Sequence, residues 1–198
     1  MRHILFFVLT AAFLACKNET YVPPTLNQDE IIPLATRNSW EFVREWIDTN
    51  GVPIDSTSLS MQVSQPDTFG TELAFPVSNF PIVFVNPSPL LCANKAGGLY
   101  NVIPGPNPLS PAFVKLLPFP STIGDSIVFS GHTIRTTSVN ERVVVPAGSF
   151  ICVRYDIMQY NSLRGRLFVA PKVGIVKAWQ RYYAMSAVID ELLSFQIH

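Results

Sequence analysis

The feature that most constrains the fold is a C-terminal block of two runs, VVVPAGSFICVRYDI at residues 143–157 and LFVAPKVGIVKAWQRYY at residues 167–183. In the first run Ile151, Val153, Tyr155 and Ile157 alternate with Cys152, Arg154 and Asp156. That is the period of a strand with one face in a core. Pro146 lacks a ladder donor and Gly148 accepts positive φ, so the junction predicts a turn between two strands. Residues 161–165 supply the next turn and residues 167–170 return. Pro171-Lys172 then breaks the run before Val173, Ile175, Lys177, Trp179, Arg181 and Tyr183 resume the alternation. A last apolar segment contains Val188, Ile189 and residues 192–197. Successive strands with short links predict an antiparallel meander.

The N-terminus carries a different kind of signal. Arg2 and His3 precede an apolar stretch at residues 4–15 that is too short to span a bilayer as a helix. It ends Phe13-Leu14-Ala15-Cys16, a loose lipobox with a small residue before the cysteine. Residues 1–15 therefore read as a lipoprotein signal, with Cys16 as the acylated first residue of the mature protein. Several acyl chains, at about 0.8 kcal/mol per buried methylene, anchor a protein without a transmembrane helix. Lys17 rather than Asp follows Cys16, which by analogy with Gram-negative sorting places the anchor in the outer membrane, on either face. Residues 16–32, polar and containing Pro23-Pro24, read as a tether, and residues 33–198 as one domain.

Four short stretches together resemble an exported lipoprotein family of the Bacteroidetes type, itself of unknown function. They are Asn38-Ser39-Trp40 with Phe42, Gly124-Asp125-Ser126, residues 145–152 (VPAGSFIC) and residues 170–177 (APKVGIVK). The resemblance implies a mainly β fold: a single, strongly curved antiparallel sheet or half-barrel, similar to periplasmic lipoprotein carriers. It brings no catalytic residues with it. It also implies that the Asp-Ser steps at Asp55-Ser56 and Asp125-Ser126 match a short O-glycosylation pattern.

Residues 38–48 hold two competing patterns. Asn38 with Glu41 has capping-box spacing, and Trp40, Val43 and Ile47 fit a helical stripe. Asn50-Gly51 is a hairpin signal, and Leu59, Met61 and Val63 alternate as a return strand. The family resemblance decides for the hairpin. Two further strands are expected at residues 71–75 and 80–85. Residues 86–120 contain eight prolines and predict a long irregular excursion, with one short helix or strand at 112–117.

Composition bounds the chemistry. Lys and Arg total 14, as do Asp and Glu, for zero net charge. With no basic stripe, nucleic acid is not an expected partner. The expected partners are the membrane, through the anchor, and a lipid, a glycan or an envelope protein. Besides Cys16, Cys92 and Cys152 remain; an oxidising envelope permits a disulfide between them, and a pair of small core residues is the alternative. Gly124-Asp125-Ser126-Ile127 is similar to the nucleophile block of the G-D-S-L esterases, but no late Asp-x-x-His supplies a base, so the stretch reads as a turn. His132 falls on an alternating polar run and is expected to face solvent. No zinc spacing, P-loop or dinucleotide fingerprint occurs, so no metal, cofactor or catalytic residue is assigned. Most of the aromatics are expected to fill the concave core. Trp46, Trp179 and Tyr183 are the candidates to face a ligand in it. The expected function is a non-enzymatic binding or accessory module of the cell envelope. The alternatives are a lipid or glycan carrier and, more distantly, an envelope hydrolase.

Overall fold

The structure, a computed structural model, describes residues 30–81, 89–106, 110–182 and 186–198. The signal, Cys16, Tyr183 and most of the strand expected at 80–85 lie outside these residues. The described chain is all β. Its first half comprises β1 (Ser39–Ile47), β2 (Pro53–Val63), β3 (Asp67–Phe69), β4 (Glu72–Ser78), β5 (Leu90–Lys95), β6 (Gly98–Ile103) and β7 (Ala112–Pro118). The second half comprises β8 (Ser126–Phe129), β9 (His132–Val145), β10 (Gly148–Gln159), β11 (Ser162–Ala170), β12 (Gly174–Tyr182) and β13 (Ser186–Gln196).

These strands form one antiparallel sheet in the order β7-β6-β5-β4-β2-β1-β13-β12-β11-β10-β9-β8, with β3 paired to β4. The order is nearly circular. Chain neighbours are sheet neighbours except β7 and β8, which are not paired, and β3, which stands aside so that β2 pairs β4; β1 also zips onto β13. The two free edges, β7 and β8, are themselves consecutive in the chain, so the curved sheet almost closes into a barrel. Tyr155 bridges the gap: its hydroxyl donates to the Pro118 carbonyl at 2.7 Å and lies 3.3 Å from Ser121 Oγ. At the other join, the His198 amide donates to Asn38 Oδ1 at 2.9 Å, tying the C-terminus to the start of β1.

The expected meander is present, but the turn expected at residues 161–165 is tighter, because residues 162–165 already belong to β11. Val145 pairs with Gly148 across the Pro146-Ala147 turn, and β10 returns through Tyr160-Asn161, both at positive φ. The hairpin reading of residues 38–63 also holds, because β1 and β2 pair along the whole of β1. Asp48 Oδ1 accepts from the Asn50 and Val52 amides at 2.8 Å each, which builds the turn around Gly51.

Three of the four stretches that carried the family resemblance meet in the core; Gly124-Asp125-Ser126 is a surface turn. Trp40 donates its indole N–H to the Val173 carbonyl, in the turn between β11 and β12. Gly174, at φ 101°, lies flat under the same ring; a Cβ there would stand 3.2 Å from Trp40 Nε1. Asn38 Nδ2 donates to the Pro33 carbonyl at 2.8 Å. The Ala147 amide of the VPAG turn donates to the Leu192 carbonyl at 3.0 Å. Phe150 and Cys152 are both buried in the same cluster. These motifs hold the sheet closed.

Three expectations are corrected. Residues 86–120 are not an irregular excursion, because they carry β5, β6 and β7. Their prolines punctuate strands rather than prevent them, and Pro118 ends β7 on a sheet edge, where no ladder donor is needed. The tether ends earlier than expected, since Ile31 and Ile32 are fully buried in the core. His132 does not face solvent; it is buried, with Nδ1 3.0 Å from the Ser130 carbonyl.

Candidate functional site

Residues paired directly across an antiparallel ladder share a face of the sheet, and that rule places each candidate side chain. On β1, Trp40, Phe42, Arg44 and Trp46 point inward. Trp40 and Phe42 are completely buried, as are Phe150 and Tyr155 to within 1%. The interior is thus occupied by the protein's own aromatic side chains over much of its length.

Toward the other end the interior becomes polar. Arg44 donates to Asp190 through Nε at 2.7 Å and Nη2 at 3.0 Å, with the Asp190 side chain wholly buried and that of Arg44 20% exposed. The hydrogen bonds to Asp190 hold the Arg44 pKa above its ordinary value, against the opposing effect of burial. Trp46 sits beyond this pair, half-buried, its ring tilted 55° against Tyr182 at 5.2 Å. Gln180 donates to the Pro81 carbonyl at 2.7 Å across the same region. Trp46 therefore does face inward, as expected, but it packs on Tyr182.

Trp179 does not share that face. It pairs with Ile189, which pairs in turn with Glu45, the neighbour of Trp46. Adjacent residues of a strand point to opposite sides, so Trp179 lies on the convex surface. The expectation that Trp46 and Trp179 line one concave site is corrected. The run Lys177, Trp179, Arg181 is the outer face of β12, while Ala178 and Gln180 are the inner one. The sequence showed the alternation; it could not show which set was buried.

Beside Trp179 the outer surface has a polar hollow of about 240 Å³, lined by Asp48 and Thr49 of the β1–β2 turn, by Trp179 and Arg181, and by Ser186. Next to it lies a belt of charge. Asp156 Oδ1 is 3.3 Å from Arg154 Nε and 3.4 Å from Arg166 Nε. Arg154 also donates to Thr137 Oγ1 at 2.8 Å and to Glu141 at 3.0 Å. The Nε atoms of Arg164 and Arg166 are buried and donate no hydrogen bond. Sequence reasoning did not single out these arginines, because they are scattered over three strands and meet only through register.

The remaining candidates are brought nowhere near a reactive arrangement. Ser126 pairs with Arg135, while His132 pairs with Phe129 three residues further along β8. At about 3.3 Å per residue this separates them by roughly 10 Å, and they point to opposite faces. Gly124-Asp125-Ser126 is the turn that the sequence predicts: Asp125 accepts from the Thr122 amide at 2.7 Å and its hydroxyl at 2.9 Å, which holds the Asp125 pKa low. The disulfide left open between Cys92 and Cys152 is not made; both are buried free thiols. Burial, with a smaller effect from Glu141, pushes the Cys152 pKa up to about 12, and burial raises that of Cys92 as well. Neither is a nucleophile at neutral pH. Among the described residues no three His, Cys, Asp or Glu side chains converge to hold a metal. Both Asp-Ser steps present exposed serines, Ser56 and Ser126.

No protein-family model matches the chain, and no curated protein matches it. Among solved structures it is similar to one from Parabacteroides distasonis, described as a "putative lipoprotein", at 15% identity and TM-score 0.46, covering 86% of this chain and 100% of that one. It is also similar to one from Bacteroides fragilis, described as a "putative exported protein with YmcC-like fold", at 14% identity and TM-score 0.47, covering 85% and 100%. Likenesses this distant carry nothing about ligand, partner or reaction.

Proposed function

We propose that this chain is an exported envelope protein, anchored by acylated Cys16 in the outer membrane, that acts as a non-enzymatic binding or accessory module through its outer surface. The observation that carries the reading is the packed interior. Trp40, Phe42, Phe150 and Tyr155 occupy the space that a carried lipid would need, and each is at most 1% exposed. A carrier needs an apolar cavity that persists in the folded state. The polar hollow and the arginine-rich belt lie instead on the convex side. The separation of Ser126 from His132, and the two protonated thiols, support a role without catalysis.

The anchor rests on the sequence of residues 1–16 and the function on the geometry, so two measurements test them separately. Membrane fractionation of Cys16→Ala should move the protein from the membrane to the soluble fraction; unchanged membrane association would end the lipoprotein reading. Native mass spectrometry of the detergent-extracted full chain should give the acylated protein alone. A stoichiometric lipid or glycan retained inside would replace this reading with that of a carrier.

A further inference from the structure

We propose that the convex surface around Trp179 binds an acidic polysaccharide, its arginines gripping sugar carboxylates while a pyranose ring lies on the indole. The proposal rests on the reading that the outer surface is the working face. It is carried by a ladder row and an excess of cations beside it.

Arg135 pairs with Asp156, Asp156 with Arg166, and Arg166 with Trp179, so these four side chains stand in line across the outer faces of β9 to β12. At about 4.8 Å per strand the row is roughly 14 Å long. Arg164 and Arg181 adjoin Gly165 and Gln180, the end pair of the β11–β12 ladder, and so lie beside that row. Along the row Asp156 stands between Arg135 and Arg166, so the excess positive charge comes from the arginines beside it.

The local acids do not neutralise this cluster. Asp156 is shared between Arg154 and Arg166. Glu191 is taken by Lys177, and both oxygens of Asp48 are used inside its own turn. Arg135, Arg164 and Arg181 have no ion pair among the described residues, although Asp156 stands opposite Arg135; the next acid along the row is Glu45, at the far side of Ile189. The buried Nε of Arg164 remains without an acceptor, and that of Arg166 has only Asp156 Oδ1 at 3.4 Å. A buried donor without a full hydrogen bond is unfavourable, and a ligand oxygen would satisfy it. Guanidinium groups match carboxylates in a planar, two-point fashion.

The class of ligand follows from what surrounds the charge. A small anion would need the arginines alone. Here the cations flank a half-exposed tryptophan, and the adjoining hollow offers the hydroxyls of Thr49 and Ser186. An aromatic platform, hydroxyl partners and spaced cations suit a polyhydroxylated polymer carrying carboxylates.

The test is calorimetric titration of the full chain in detergent micelles with oligogalacturonate, alongside a neutral oligosaccharide of equal length, polyglutamate and inorganic phosphate. Oligogalacturonate should bind, more weakly as salt rises, and the neutral sugar should not. The double variant Arg164→Gln/Arg181→Gln should lose at least tenfold in affinity, as should Trp179→Ala, whereas Lys115→Gln on β7 should bind as the parent does. Without ligand the double variant should melt no lower than the parent, because it relieves repulsion; a merely structural role would lower the melting temperature. Absence of binding, equal binding of the neutral sugar, polyglutamate or phosphate, or unchanged affinity in the folded double variant would each overturn the proposal. None of these results bears on the Cys16 fractionation, so the two readings fail independently.

Discussion

Tyr155 shows how one hydroxyl can matter to a whole sheet. Its position in the alternation of residues 151–157 places it on a buried face from sequence alone. Its partner, the Pro118 carbonyl, lies 37 residues away on the opposite free edge. Tyr155→Phe should destabilise the protein by about 1 kcal/mol, the usual net worth of such a bond, measurable as a lower urea midpoint. The Arg44–Asp190 pair is the second case. Asp190→Ala leaves the Arg44 guanidinium without its buried partner, and about 3–5 kcal/mol should be lost. The double change Arg44→Met/Asp190→Leu should cost much less, since it removes both charges together; a double-mutant cycle by urea unfolding gives the comparison. The pair itself was invisible in the sequence, where 146 residues separate its members.

At the scale of elements, strands with clean alternation or a strong turn were legible. From Val153 to Ile157 the alternation gives the buried set, but Ile151, expected with it, is exposed and Cys152 is buried, because the β9–β10 ladder is bulged between Cys152 and Tyr155. Asn50-Gly51 declares a hairpin. The β5–β6 hairpin was missed because prolines on both sides outweighed a short signal, Lys95-Ala96-Gly97-Gly98. That signal had a steric meaning. Gly98, at φ 139°, packs so tightly that an added Cβ would lie 2.0 Å from the Leu117 carbonyl oxygen of β7. Gly98→Ala should therefore cost about 2 kcal/mol or more, from the backbone conformation and the displaced carbonyl together. The change should appear first as faster amide exchange in β6 and β7, the strands at that sheet edge.

For the whole molecule, the buried ionisable groups set a pH limit. Burial raises the pKa of Tyr155 and of both thiols, with Cys152 at about 12, against ordinary values of 10.0 and 9.0. Below about pH 8 these groups are protonated whether the chain is folded or not, and they contribute no pH dependence to stability. Above it the unfolded chain releases protons that the folded chain keeps, so stability falls as pH rises. Urea midpoints at about pH 6.5, 7.5 and 10.5 should be level over the first interval and lower at the last. In the same samples Cys92 and Cys152 should resist a thiol reagent near neutral pH until the protein unfolds.

The sequence by itself determined most of the strand pattern of the C-terminal half, whereas at residues 38–63 it held two competing patterns and the family resemblance decided for the hairpin and the mainly β class. It could do that much because side-chain alternation and turn residues are local properties of the chain. It also contains the residues that make the motifs work, Trp40, Val173 and Gly174, without saying that they touch. Only the tertiary structure decided which face of β12 is inside, and hence that Trp46 and Trp179 stand on opposite sides of the sheet. Register likewise brought Arg135, Arg164, Arg166 and Arg181 around one tryptophan. A period of two marks two faces but does not name the buried one; that depends on how the sheet curves and on what the neighbouring strands bring to its interior.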